Sequence, residues 1–239
     1  MPCDESFTFK PIGFIESCYR QKFGTPRQPG LVKQATANLV FQPEYSKSEI
    51  FRGIEQFSHL WIIFVFHQSV RQNDKITVRP PRLGGKEKLG VFATRSNFRP
   101  NPIGQSVVRF EGVEKINDRY VLKLTGGDFL DGTPVLDVKP YIPFADSIAD
   151  AIAGFASQPP DKCYQVFFSD RATQQIKIAS ARLCMDVKSF VSELLSYDPR
   201  PAFYDGKYEK TSFAMYLYDH NLQWELEGNK VRVMGFSSI

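Results

Sequence analysis

The sequence predicts a mainly β fold, a barrel or sandwich, followed by a second and smaller α+β unit. Three observations carry this. Short apolar runs rich in Phe, Ile and Val recur through the first two thirds of the chain, punctuated by Gly, Pro, Asn and Asp; such spacing suits a barrel or a sandwich. The pattern changes at a Pro159-Pro160 pair that closes a stretch of small residues. Beyond it, two segments of helical periodicity stand between one strand and a final alternating stretch.

In chain order, FTFKPIGFIES alternates and reads as a first strand, and NLVFQP as a second. SKSEIFRGIEQF predicts a helix, because Ser46 or Ser48 can cap it and Ile50, Ile54 and Phe57 share a face. HLWIIFVFHQ is a continuous run of large and β-branched residues, as expected of a buried strand. KLGVFATR, QSVVRFEGVEKI, RYVLKLTGGDFL and TPVLDVKPYIP follow as strands, with a hairpin turning at Asn117-Asp118. DSIADAIAGFASQPPDK reads as a linker. CYQVFFSD is then a strand, and ATQQIKIASARL and DVKSFVSELLSYDP are helices. The second helix carries Phe190, Val191, Leu194 and Leu195 on one stripe, and Pro199 ends it. Strands return in KTSFAMYLYDHNLQWELEGNKVRVMGF, with a turn at Gly228-Asn229. The division places a first domain at residues 6–147, a linker at 148–162 and a second domain at 163–239.

Composition narrows the function. The 239 residues are 42 % hydrophobic and include 21 Phe, enough to bury a core without cross-links. No apolar run reaches the roughly 18 residues of a membrane span. The acidic start MPCDESFTFKPIG is not a signal peptide. Cys3, Cys18, Cys163 and Cys184 show no CxxC spacing and form no motif with the three histidines, so a metal site is not expected. Reduced thiols in the cytoplasm are the simplest reading. GxGxxG after a strand, GxxxxGK[ST] and GxSxG are all missing. Any cofactor therefore sits on an unusual scaffold.

The net charge of +4 is local. Residues 1–155 carry 20 Lys+Arg against 16 Asp+Glu, whereas residues 156–239 carry 10 of each. Arg71, Lys75, Arg79, Arg82, Lys86, Lys88, Arg95 and Arg99 face only Asp74 and Glu87 within their stretch. A basic band of this kind suits a phosphate-bearing partner such as RNA, or is simply a solvated loop.

Four polar clusters stand out. In GTPRQPGLV, Pro26 and Pro29 stiffen the chain around Arg27 and Gln28, which lowers the entropy lost when those side chains grip a ligand; the plain alternative is a proline-rich surface loop. His67-Gln68 follows the buried strand and lines a pocket mouth, unless His67 is a neutral histidine satisfied at a strand end. His59, at the start of that strand, reads as structural. GVFATRSNFRPNPIG sets Arg95, Asn97, Arg99 and Asn101 among prolines. Arg holds carboxylate or phosphate through two parallel hydrogen bonds, and Asn pairs with an adenine edge. Asn-Pro turn chemistry accounts for only part of this loop. GGDFLDGTPVLDVKPYIPF places Asp128, Asp131 and Asp137 in a Gly-broken strand pair, either facing a cationic ligand or forming an acidic turn.

Taken together, PRQPGLV, IEQFSHLWIIFVFHQ, VRPPRLGG, GVFATRSNFRPNPIG and LDGTPVLDVKPYIPF resemble the TsaA-like, or TrmO, family of tRNA methyltransferases. The resemblance runs in order from about Ile12 to Phe144, and YDPRPAF at residues 197–203 continues it. It implies a small single-sheet β-barrel of about seven strands with a smaller α+β C-terminal domain, S-adenosyl-L-methionine as cofactor, and a homodimer. It implies methylation of the N6 nitrogen of threonylcarbamoyladenosine beside the anticodon of tRNA. Its cofactor contacts carry over to Pro26, Arg27, Gln28, His67, Gln68, Arg95, Asp131, Gly132, Thr133 and Pro134.

For that ligand, Arg27 or Arg95 is expected to hold the carboxylate, and the LDGTP turn the ammonium or a ribose hydroxyl. The reaction is an in-line methyl transfer in which orientation supplies most of the catalysis. No catalytic residue is assigned: His67, Asp131 or the substrate's own carboxylate can take the proton. RNA contacts are expected at Arg79, Arg82, Arg99 and Asn101, reaching a nucleotide in a single-stranded loop. Two other functions compete: the same cofactor with another RNA or small-molecule acceptor, and a non-catalytic RNA-binding barrel. The last explains the basic band but not the acidic LDGTP turn beside it.

Overall fold

The computed structural model describes residues 6–69, 76–200 and 211–239. Cys3, Arg71, Asp74, Lys75 and residues 201–203 of the YDPRPAF motif lie outside the described residues.

The first unit contains β1 (Gly13–Ser17), β2 (Thr36–Phe41), β3 (His59–Val65), β4 (Thr77–Val78), β5 (Leu89–Gly90), β6 (Ile103–Ile116), β7 (Arg119–Thr125) and β8 (Pro134–Pro140). Six of them close into a barrel in the order β1-β2-β7-β6-β3-β8, with every neighbouring pair antiparallel. Closure leaves no free sheet edge. Alternation does the sorting. Leu60, Ile62 and Phe64 of β3 point into the barrel with Ile15, Leu39, Val108, Leu122, Leu124 and Val135, while Trp61 turns outward against Tyr141. Gly104 makes room for this packing, since the Phe64 ring fills the space that a Cβ would take.

Three expectations are corrected. The barrel has six strands rather than about seven, because KLGVFATR contributes only the two-residue β5. That strand pairs with β4 outside the barrel, and the chain then tightens into a 3-10 turn at Val91–Ala93. FTFKPIGFIES becomes strand only from Gly13; Pro11 has no N–H to give a ladder. The helix expected in SKSEIFRGIEQF is instead two 3-10 turns, at Ser48–Phe51 and Ile54–Gln56, with a third just before them at Pro43–Tyr45. Gly53, at φ 88°, breaks the run in a conformation that suits glycine. Its apolar face still has a use: Phe51 packs on Phe41 and Tyr120, each at 4.8 Å between ring centroids. The hairpin turn stands where expected. Asn117 and Asp118 have φ of 49° and 61°, the two positive values that a tight β6–β7 turn requires.

A one-turn helix, α1 (Pro143–Asp146), and an exposed connector follow. The second unit is β9 (Gln165–Phe168), α2 (Asp170–Leu183), α3 (Val187–Ser196), β10 (Ser212–Leu217), β11 (His220–Glu227) and β12 (Lys230–Ser238). Its sheet runs β10-β11-β12-β9, with β9 parallel to β12. Ser169 caps α2 by accepting from Ala172 N–H, and Asp186 caps α3 by accepting from Ser189 N–H. Ile176, Phe190, Val191, Leu194 and Leu195 cover Leu222, Trp224, Val233 and Phe236. This second core also holds Cys18, Tyr19, Val32 and Ala35, from the connection between β1 and β2. Tyr19 bridges to Leu130 on one side and Leu217 on the other, and Cys18 C=O accepts from Tyr218 N–H at 2.8 Å. Residues 18–35 thus lie between the barrel and the second sheet. No described helix is long and apolar enough to cross a membrane.

Candidate cofactor site

The site assembles around that same connection, which serves as a spine. Tyr19 C=O accepts from Asp131 N–H at 2.8 Å. Arg20 donates to Asp131 Oδ2 and, through Nε, to Tyr218 C=O at 3.0 Å. Lys22 Nζ donates to Gln68 C=O at 2.7 Å and to Ser69 Oγ at 3.3 Å. Gln28 Oε1 accepts from Arg95 Nη1 at 2.7 Å. Gly30 N–H donates to Gly126 C=O at 2.8 Å. One loop therefore touches the end of β3, the arginine-rich loop and the Gly-broken turn before β8.

Each sequence-predicted residue can now be placed. Pro26 sits half-buried beside Arg27. Arg27 donates to the main-chain carbonyl of Arg200 at 3.0 Å, and burial pulls its pKa below the ordinary arginine value while Asp198 pulls it back up. Gln28 Nε2 is held by Arg27 C=O at 2.6 Å, leaving Oε1 for Arg95. His67 and Gln68 begin a 3-10 turn just past β3. Burial, and then Lys22, lower the His67 pKa, so the ring is neutral at pH 7. Asp131 has both oxygens engaged: Oδ1 accepts from Ser17 N–H at 2.9 Å, and Oδ2 meets Arg20. Gly132 turns at φ 74° and donates to Ile15 C=O at 2.7 Å. Thr133 is buried, with its hydroxyl on Leu130 C=O at 2.7 Å. Pro134 opens β8 opposite Phe14. The LDGTP turn is thus stitched to β1 through its main chain, and its outward groups are few.

The basic band divides. Arg79 and Asn101 are exposed. Arg82 donates to Gln158 C=O of the connector. Arg99 is half-buried and donates to Thr94 C=O and Ser96 C=O at 3.2 and 3.4 Å, holding its own loop in shape. Asn97 Nδ2 donates to Ser69 Oγ at 2.6 Å.

The sequence groups Asp128 with Asp131 and Asp137 in a Gly-broken strand pair, and the structure gives Asp128 a separate environment. Its Oδ1 accepts from Ser106 Oγ at 2.6 Å. Burial raises its pKa to about 6, against the lowering effects of Ser106, its own backbone N–H and the Arg95 charge. Arg20, Lys22, Ser69 and Ser106 were not predicted at all. Each acts by a contact across tens of residues, which no local motif records. Only the nearness of Arg20 and Lys22 to PRQPG hinted at them.

These groups fit S-adenosylmethionine chemically. Arg27 and Arg95 are planar donors for a carboxylate, Asp128 is a shielded carboxylate for a cationic centre, and Gln28 and Gln68 offer amides for hydroxyl or ring nitrogen atoms.

Comparison with known proteins points the same way. Residues 14–147 match the model of the tRNA-methyltransferase O N-terminal domain, and residues 161–239 match the TrmO C-terminal domain. The chain is 46 % identical over 221 residues to the tRNA (adenine(37)-N6)-methyltransferase of Escherichia coli K12, covering 92 % of this chain and 94 % of that protein. It is 45 % identical over 214 residues to a Pseudomonas aeruginosa protein whose name carries the words S-adenosylmethionine-dependent methyltransferase, covering 90 % of each. The crystal structure of TrmO from Pseudomonas aeruginosa superposes with a TM-score of 0.81 at 38 % identity, over 98 % of this chain and 99 % of that one.

Proposed function

The chain belongs to the tRNA-methyltransferase O family, and on that premise we propose that it methylates the N6 nitrogen of threonylcarbamoyladenosine at position 37 of tRNA, using S-adenosylmethionine. The adenine-N6 reaction is the one named for the E. coli relative. The threonylcarbamoyl group is supported by the resemblance to the family of the five motifs that run from about Ile12 to Phe144. One observation carries the site: Arg95 meets Gln28 while Gly30 meets Gly126, which brings three distant motifs to one place.

The cofactor supplies an activated methyl group on a sulfonium sulfur. The chain does the rest. Arg27 and Arg95 hold the carboxylate end, with Pro26 setting the backbone direction. Gln28, Gln68 and the main chain from Asp131 to Pro134 enclose the remainder. Asp128, ionised above about pH 6, complements positive charge. Fixing the reacting atoms in line can contribute about 7–11 kcal/mol, and a stiff loop pinned at both ends suits that task. His67, neutral at pH 7, can take the departing proton at a ring nitrogen. Asp131 suits this role less, because both of its oxygens are already engaged, by Ser17 N–H and by Arg20.

Arg79 and Asn101, both exposed, meet the tRNA. Arg82 and Arg99 shape the loops around them and add positive potential. A homodimer is part of the proposal, supported by Phe144, Ile148 and Ile152, which are 91 %, 68 % and 97 % exposed around the connector. Cytoplasmic tRNA is the substrate pool.

The test is nucleoside mass spectrometry of tRNA from cells lacking the gene. Loss of methylated threonylcarbamoyladenosine, restored by the wild-type gene, is expected. An unchanged profile would mean that another acceptor is used.

A further inference from the structure

Arg200 lies just past α3, and its side chain is only 11 % exposed. Its Nε and Nη2 take the two carboxylate oxygens of Asp198 at 2.8 and 2.7 Å, and Nη2 also meets the Tyr164 hydroxyl at 2.5 Å. That hydroxyl donates to Asp198 Oδ2 at 3.1 Å. The Tyr164 and Phe213 rings flank the guanidinium, each 5.7 Å away. Arg200 N–H adds a bond to Asp198 Oδ1 at 3.1 Å, and Asp198 adopts φ 45°. A bidentate pair, two aromatic rings and a backbone bond leave the main chain at Arg200 little freedom.

Stability alone is a poor reason for such a cluster. A shielded ion pair contributes little net folding energy compared with apolar packing of the same volume. The fixed main chain has a more specific use, because the Arg200 carbonyl is the acceptor for Arg27 Nη2. The two residues are 173 positions apart. A free arginine carries about 2 kcal/mol of rotamer entropy that a ligand must overcome on binding. An acceptor already in place shifts that cost from binding to folding.

We propose that the Tyr164–Asp198–Arg200 clamp is a positioning device for Arg27, so that the C-terminal unit takes part in cofactor binding by presenting one carbonyl to the barrel's cofactor loop. Arg200 is then a positioning residue, and its guanidinium is used inside the clamp. The proposal deepens the functional reading above and rests on Arg27 contacting the cofactor.

The test is calorimetric titration of S-adenosylmethionine into the full-length wild-type protein, Arg200→Gln, Arg27→Gln and the double variant, with thermal melts to show that each is folded. Tyr164→Phe, which keeps the ring and removes one hydroxyl, is made in both backgrounds as the milder lesion. Arg200→Gln should weaken binding about tenfold and Tyr164→Phe about threefold. Neither should weaken it further once Arg27 is already Gln. Equal losses with and without Arg27, or unaltered affinity in both clamp variants while the wild type binds, would overturn the positioning role. A wild-type protein that does not bind would instead overturn the underlying assignment of the cofactor, and this inference with it.

Discussion

Arg95 Nη1 donates to Gln28 Oε1 at 2.7 Å across 67 positions of sequence, and this bond ties the arginine-rich loop to the proline-braced loop. Gln28→Ala removes the tie without removing the guanidinium. A hydrogen bond to a charged group is worth about 1.5–3 kcal/mol, so S-adenosylmethionine affinity should fall at least about tenfold. Arg95→Ala should cost more, and the double variant less than the sum of the two single losses. Calorimetry on the three proteins checks this, and strictly additive losses would show that the two side chains act independently.

Asp128 gives a pH dependence of defined sign. Folding raises its proton affinity from the ordinary aspartate range to a pKa of about 6, chiefly by burial. Its favourable contribution to folding is therefore complete below about pH 4 and is lost as pH rises through 6. Asp128→Asn keeps an acceptor for Ser106 and never ionises. The variant should be more stable than the wild type at pH 8, by on the order of 3 kcal/mol at most, and the gain should vanish near pH 4. Urea unfolding at both pH values measures it. Affinity for the cationic cofactor should rise with pH through 6 in the wild type and stay flat in the variant.

Arg79 and Arg82 separate two kinds of basic residue. Both are exposed, and Arg82 is in addition bonded to Gln158 C=O. Arg79→Ala should weaken tRNA binding and reduce its salt slope by about one counterion, leaving cofactor affinity unchanged. Arg82→Ala should change the slope less. Filter binding across a salt series distinguishes them, and identical slopes for both variants would refute the distinction.

Gly104 is a packing position. A Cβ there would meet the Phe64 ring at 2.3 Å, and overpacking of this sort costs about 1–3 kcal/mol. Gly104→Ala should lower Tm by several degrees, and Phe64→Leu in the same chain should recover part of the loss. A melt unchanged by Gly104→Ala would show that the ring moves aside freely.

Local chemistry was legible wherever the signal was short-ranged. The Asn117-Asp118 hairpin, the stripe of Phe190, Val191, Leu194 and Leu195, and the buried face of β3 could all be read from spacing. The same logic failed at SKSEIFRGIEQF, where Gly53 overrode a helical apolar pattern, and at KLGVFATR, where β-forming residues became two paired residues and a turn. Of the site, the motifs were visible, but not their use. Thr133 is buried in its own turn, Arg99 braces its own loop, and Asp128 stands apart from Asp131.

The sequence by itself determined the class of fold and the polar motifs, because strand alternation, helix caps and proline-stiffened loops are set by residues within a few positions of one another. Only the tertiary structure decided which motif meets which. Gln28 reaches Arg95, Arg20 reaches Asp131, and Arg27 reaches the Arg200 carbonyl because barrel closure and the shared core at Tyr19 bring distant segments together, and contacts of such separation leave no periodic trace in the chain.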